Sequence, residues 1–129
     1  MAKILVIDDD ESVRSMLTRV LTSSGHEIQT AINGSKVAQI MESFAPELVI
    51  TDIIMPEADG LETIRELRSG FPQVHIIAIS GGGLSIELDH LPIARMLGAE
   101  LTLKKPIDND KLREAIDSVV GGPVNQQGK

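Results

Sequence analysis

Short apolar runs alternate along the chain with stretches whose apolar positions recur every three or four residues. Runs of strand length stand at Ile4–Ile7, Leu48–Thr51, His75–Ile79 and Leu101–Leu103, with a weaker, alternating one at Glu27–Ala31. Between them, Val13, Met16, Leu17, Val20 and Leu21 fall at i, i+3, i+4, i+7 and i+8. Val37, Ile40, Met41 and Phe44 repeat the first four of those steps, so each set lines one face of a helix. Leu61, Ile64 and Leu67 predict a third helix. Leu112, Ala115, Ile116, Val119 and Val120 predict a last one, after the start signal Pro106-Ile107-Asp108-Asn109-Asp110. A fourth helix, with a weak stripe at Leu91, Ala94 and Leu97, is expected between Gly81-Gly82-Gly83 and Gly98. The breakers Ser24-Gly25, Asn33-Gly34, Gly70 and Pro72 fall at the remaining joins.

Strands that are apolar at every position are buried on both faces, which is the condition of a parallel sheet covered by helices on each side. The pattern therefore predicts an α/β domain, doubly wound, with β-α repeated about five times. Residues 1–121 are expected to form that domain, and 122–129 read as a disordered tail or the start of a linker.

At 129 residues, one domain of ordinary size is expected. The absence of cysteine removes disulfides, thiolate metal sites and a cysteine nucleophile, which leaves oxygen and histidine chemistry. A net charge of −7, with twelve scattered Lys and Arg, disfavours a duplex-DNA surface. Two aromatic residues, Phe44 and Phe71, are too few for a base-stacking platform. The N-terminal apolar run is short and ends in three aspartates, fitting neither a signal peptide nor a membrane span, so a cytoplasmic location with no membrane contact is expected.

In open parallel sheets, ligands bind beyond the carboxyl ends of the strands. Here the first strand ends in Asp8-Asp9-Asp10, the third in Asp52, the fourth in Ser80 and the fifth in Lys104-Lys105-Pro106. Singly, each has a plainer use: Asp10 as a helix cap, Asp52 in a turn, Ser80 as a hydroxyl bonding backbone, Lys105 as a surface charge. Together they do not, because the fold gathers all four ends on one edge. Carboxylates about 4 Å apart there repel by ~4 kcal/mol per pair at an effective dielectric near 20. A hard cation relieves that, and Mg²⁺ suits oxygen ligands beside a phosphate. A carboxylate next to such an ion can attack phosphorus while a lysine and a hydroxyl hold the phosphoryl oxygens.

From Lys3 to Val120 these residues resemble the receiver domain of bacterial response regulators. Ile4-Leu5-Val6-Ile7-Asp8-Asp9-Asp10 is similar to its first strand and acidic pair, and Leu48 to Pro56 with Asp59-Gly60 to its phosphoacceptor segment. Ser80-Gly81 and Lys105-Pro106 match its hydroxyl and its Lys-Pro pair, the latter usually cis. The resemblance implies a flavodoxin-like fold with strand order 2-1-3-4-5. It implies that Asp52 is phosphorylated, that Asp9, Asp52 and the Ile54 carbonyl bind Mg²⁺ directly, and that Asp8 does so through water. It implies further that Ser80 and Lys105 hold the phosphoryl oxygens, whereas Lys104 is expected to point the other way on its strand.

The implied function is a signalling switch rather than an enzyme. A sensor histidine kinase or histidine phosphotransfer protein supplies the phosphoryl group, and the output passes by protein docking through the face of the fourth helix, fifth strand and fifth helix. A monomer or weak dimer is expected. Three departures bear on the output: Thr102 stands where many members carry Tyr or Phe, the Ser80–Gly98 stretch is longer and richer in glycine, and Ile54 and Gly82 occupy positions that influence phosphoryl lifetime. Two other classes compete. A haloacid-dehalogenase-type phosphohydrolase expects an acid two residues after its nucleophile, where this chain has Ile54. A flavodoxin-like nucleotide carrier would meet repulsion from the three aspartates of the first loop. A third reading, a constitutive docking module of the same fold, follows from Thr102.

Overall fold

The computed structural model describes residues 2–53, 60–80 and 98–120, with backbone only at 60 and 61. Five strands, β1 Lys3–Ile7, β2 Glu27–Ala31, β3 Leu48–Asp52, β4 His75–Ser80 and β5 Leu101–Lys104, form one parallel sheet in the order β2-β1-β3-β4-β5. The expected strands are all present, most of them one residue longer. Lys3, Asp52, Ser80 and Lys104 add their backbones to the ladder, and an apolar run does not register polar residues at strand ends.

Side-chain alternation splits the core in two. Leu5 and Ile7 of β1, Val49 of β3 and Ile76 and Ala78 of β4 pack on one face with α2 (Val37–Phe44) and α3 (Gly60–Gly70). Ile4, Val6, Leu48, Ile50, Ile77 and Ile79 pack on the other with α1 (Glu11–Ser23) and the C-terminal helix (Asn109–Val119). Every one of these strand residues is at most 1% exposed, which is why the runs carry no period of their own. The expected fourth helix lies outside the described residues, as does the 122–129 tail.

The helix ends follow from local chemistry. Asp10 caps α1 by accepting from the Ser12 amide, and Gly25, at φ +94, turns the chain back toward β2. Asp108 caps the C-terminal helix through the Asp110 and Lys111 amides. A 3₁₀ turn, Gly34–Lys36, precedes α2 and lies against α3. A Cβ at Gly34 would sit 2.5 Å from Thr63 Oγ1, so any larger residue there requires the threonine side chain to shift.

A partly buried polar group at the opposite edge of the sheet has no signature in the pattern. Arg68 of α3 donates to the carbonyls of Pro72 (3.0 Å), Val74 (2.7 Å) and Gly98 (2.8 Å), and His75 Nδ1 lies 2.7 Å from Glu100 Oε1. Burial lowers the Arg68 guanidinium from its ordinary pKa, opposed by the charge of Glu100. Arg68→Met strips three carbonyls of their donor and is expected to cost about 1–3 kcal/mol in urea unfolding. Wild-type stability in that variant would mean water replaces the guanidinium.

Candidate functional site

The acidic loop after β1 is placed by its backbone. The Asp8 amide donates to Ala31 O (3.1 Å), Asp8 Oδ1 accepts from the Asp10 amide (2.9 Å), and Asp10 then opens α1. Asp52 ends the neighbouring strand, with Thr51 paired to Ile7. The result is a cluster in which Asp8, Asp9 and Asp52 each offer a carboxylate oxygen within 4.8 Å of the others, Asp8 and Asp52 buried and Asp9 exposed.

Lys105, just beyond β5, reaches back across this edge. Its Nζ is 3.0 Å from Asp52 Oδ2, a hydrogen bond, and 3.0 Å from Asp8 Oδ2, where the contact is an ion pair without hydrogen-bond alignment. Its amide donates to Ser80 O at 2.9 Å, and the Lys105-Pro106 peptide is cis. Lys104 is exposed, as expected of its neighbour on the strand. Ser80 lies on the same edge, one residue beyond Ile79, the β-partner of Asp52. Thr102, half-buried, pairs with Ala78 in the ladder. The Ile54 carbonyl and Gly82 lie outside the described residues.

Burial raises the Asp8 carboxyl above its ordinary pKa. The Asp10 amide and Lys105 oppose that shift and the charge of Asp52 adds to it. For Lys105, burial of the ammonium lowers the pKa, but the two carboxylates beside it, Asp52 and Asp8, outweigh that, and the group is held above the ordinary lysine value. Asp10, fully exposed, is lowered by its bonds with Ser12. Three carboxylates against one ammonium leave negative charge uncompensated, and Asp8 Oδ2 is buried with no hydrogen bond. An all-oxygen donor set with excess negative charge fits a hard divalent cation.

The pattern along the chain pointed to all four of these groups but missed Arg14. Its Nη1 donates to the Asp8 carbonyl at 2.8 Å. The available signal was a cation one turn into the helix that follows an acidic loop.

Comparison with known proteins fits this arrangement. The response regulator receiver domain family matches residues 4–117. The chain belongs to that family. Sporulation initiation phosphotransferase F of Bacillus subtilis is 31% identical over 114 residues, covering 88% of this chain and 90% of that protein. The DNA-binding transcriptional regulator NtrC of Azospirillum brasilense is 34% identical over 116 residues, 90% of this chain but 24% of its own length, so the receiver domain spans about a quarter of such regulators. Among solved structures, the receiver domain of NtrX from Brucella abortus has a TM-score of 0.82 at 31% identity, covering 89% of this chain and 95% of that one. The Thermotoga maritima response regulator TrrA, solved in complex with Mg²⁺-BeF, has a TM-score of 0.78 at 30% identity, covering 92% and 98%. This is a receiver domain of a two-component response regulator, a signalling domain with the five-stranded fold that its sequence implies. Such domains bind Mg²⁺ at an acidic pocket and interact with histidine kinases or phosphotransfer proteins. None of the described helices is long and apolar enough to cross a membrane.

Proposed function

We propose that this receiver domain, residues 1–121, accepts a phosphoryl group on Asp52 from a phosphohistidine of a sensor kinase or phosphotransfer protein. The observation that carries the reading is the Lys105 ammonium bonded to Asp52 within a cluster of three carboxylates. The Asp52 carboxylate oxygen attacks phosphorus. The bond between phosphorus and the donor imidazole nitrogen breaks, the nitrogen keeps the electron pair, and an acyl phosphate forms. Lys105 holds a phosphoryl oxygen in line for that displacement, and Ser80 is placed to hold another once the group is on Asp52. Asp8 and Asp9, with Asp52, hold the Mg²⁺, which supplies charge neutralisation for the acids and the phosphoryl oxygens.

The acyl phosphate carries more charge than the carboxylate it replaces, which biases the conformation around Ser80 and β5. The signal then passes by docking of a protein on the face that includes β5 and the C-terminal helix, with Thr102 setting a different coupling from an aromatic residue. Beryllofluoride, a mimic of the phosphoryl group, tests the pocket by ¹⁹F NMR. Bound-fluoride signals that need both Mg²⁺ and Asp52 are expected. Signals that persist in Asp52→Asn, or none in the wild type, would contradict the reading.

A further inference from the structure

The three carboxylates are not held alike. Asp8 is fixed by the Asp10 amide and by Lys105, and Asp52 by Lys105. Among the described residues, no group hydrogen-bonds the exposed carboxylate of Asp9, so its direction depends on the backbone that carries it. On the N-terminal side of Asp9, that backbone is the peptide whose carbonyl belongs to Asp8, and Arg14 Nη1 donates to this carbonyl at 2.8 Å. Arg14 is itself anchored, half-buried on α1, with its amide bonded to Asp10 O at 3.1 Å. The guanidinium thus spans from the first turn of the helix to the peptide joining the two loop acids.

We propose that Arg14 is a positioning residue for the cation pocket, orienting Asp9 toward Asp8 and Asp52 by pinning the peptide between Asp8 and Asp9. The proposal rests on the reading of the pocket as a Mg²⁺ site. The guanidinium meets the backbone carbonyl of Asp8 and not a carboxylate, so it acts through the peptide. Groups that orient a metal ligand typically govern affinity by about 10–100-fold.

The test is the Mg²⁺ dissociation constant, read from ¹H–¹⁵N NMR titrations of the wild type, Arg14→Met, Arg14→Gln, Arg14→Lys and Arg19→Met, beside urea unfolding in EDTA. Weakening of about tenfold is expected in Arg14→Met and Arg14→Gln, with unfolding in EDTA little changed. Arg14→Lys, which keeps one donor, recovers much of the affinity, and Arg19→Met, which removes an exposed cation from the same helix, leaves it unchanged. Unaltered Mg²⁺ affinity in both Arg14→Met and Arg14→Gln, or equal weakening in Arg19→Met, would overturn the positioning role alone. No Mg²⁺ binding by the wild type would instead remove the reading of the pocket on which it stands.

Discussion

Lys105→Met is expected to slow phosphorylation of Asp52 by a small donor about 10²–10³-fold, the usual loss when one pre-placed donor to a developing oxyanion is removed. The same change has a second consequence with the opposite dependence on metal. Lys105 Nζ is 3.0 Å from carboxylate oxygens of both Asp8 and Asp52, whose side chains are 1% and 5% exposed. Removing the ammonium leaves two buried anions facing each other. A fully buried pair broken in this way costs about 3–5 kcal/mol, and the fifth of the lysine that remains exposed brings the expectation to about 2–3 kcal/mol in EDTA. Saturating Mg²⁺ should restore most of that loss of stability while leaving the rate defect in place. Urea unfolding with and without Mg²⁺, beside phosphorylation rates, separates the two. A variant as stable as wild type in EDTA would mean that the lysine does not neutralise the pocket.

Asp8→Asn should act in the other direction on the metal-free protein. The folded-state pKa of Asp8 lies above its unfolded value, first because the carboxyl is buried and also because Asp52 is beside it. A raised carboxyl favours folding fully below its unfolded pKa, and that contribution is lost as pH rises through the folded pKa. At neutral pH the ionised group is therefore a liability, and a neutral amide relieves it. Asn keeps the oxygen that accepts from the Asp10 amide. A gain on the order of 1 kcal/mol is expected in EDTA at pH 7, shrinking as the pH is lowered toward the unfolded carboxyl range. Mg²⁺ should stabilise this variant much less than the wild type. A loss of stability at pH 7 would mean that the ion pair with Lys105 outweighs the cost of burial.

What could be read from the sequence was what local chemistry writes into it. Ile4–Ile7 and Ile76–Ile79 are apolar at every position because both faces of their strands are covered, and Asp10 and Asp108 cap helices as their neighbours dictate. Asp8, Asp9, Asp52 and Lys105 were legible because a doubly wound sheet brings the carboxyl ends of its strands to one edge, and the structure gathers all four there. Ser80 reaches the same edge through its strand register. Contacts between residues far apart in the chain were not legible. The buried pair His75 and Glu100, twenty-five positions apart, and the half-buried contact of Arg68 with Gly98, thirty apart, are announced by no periodicity. Arg14 was hidden differently: a helical stripe marks the residues that turn inward, whereas this one works by folding its side chain back over the preceding loop.

Intact mass and site mapping after incubation with acetyl phosphate test the central claim most directly, with Mg²⁺, with EDTA, and with Asp52→Asn beside the wild type. The account predicts an adduct of one phosphoryl group, carried by Asp52, that forms only with Mg²⁺ and is absent from the variant. An adduct that forms in EDTA, or that persists in Asp52→Asn, would contradict it.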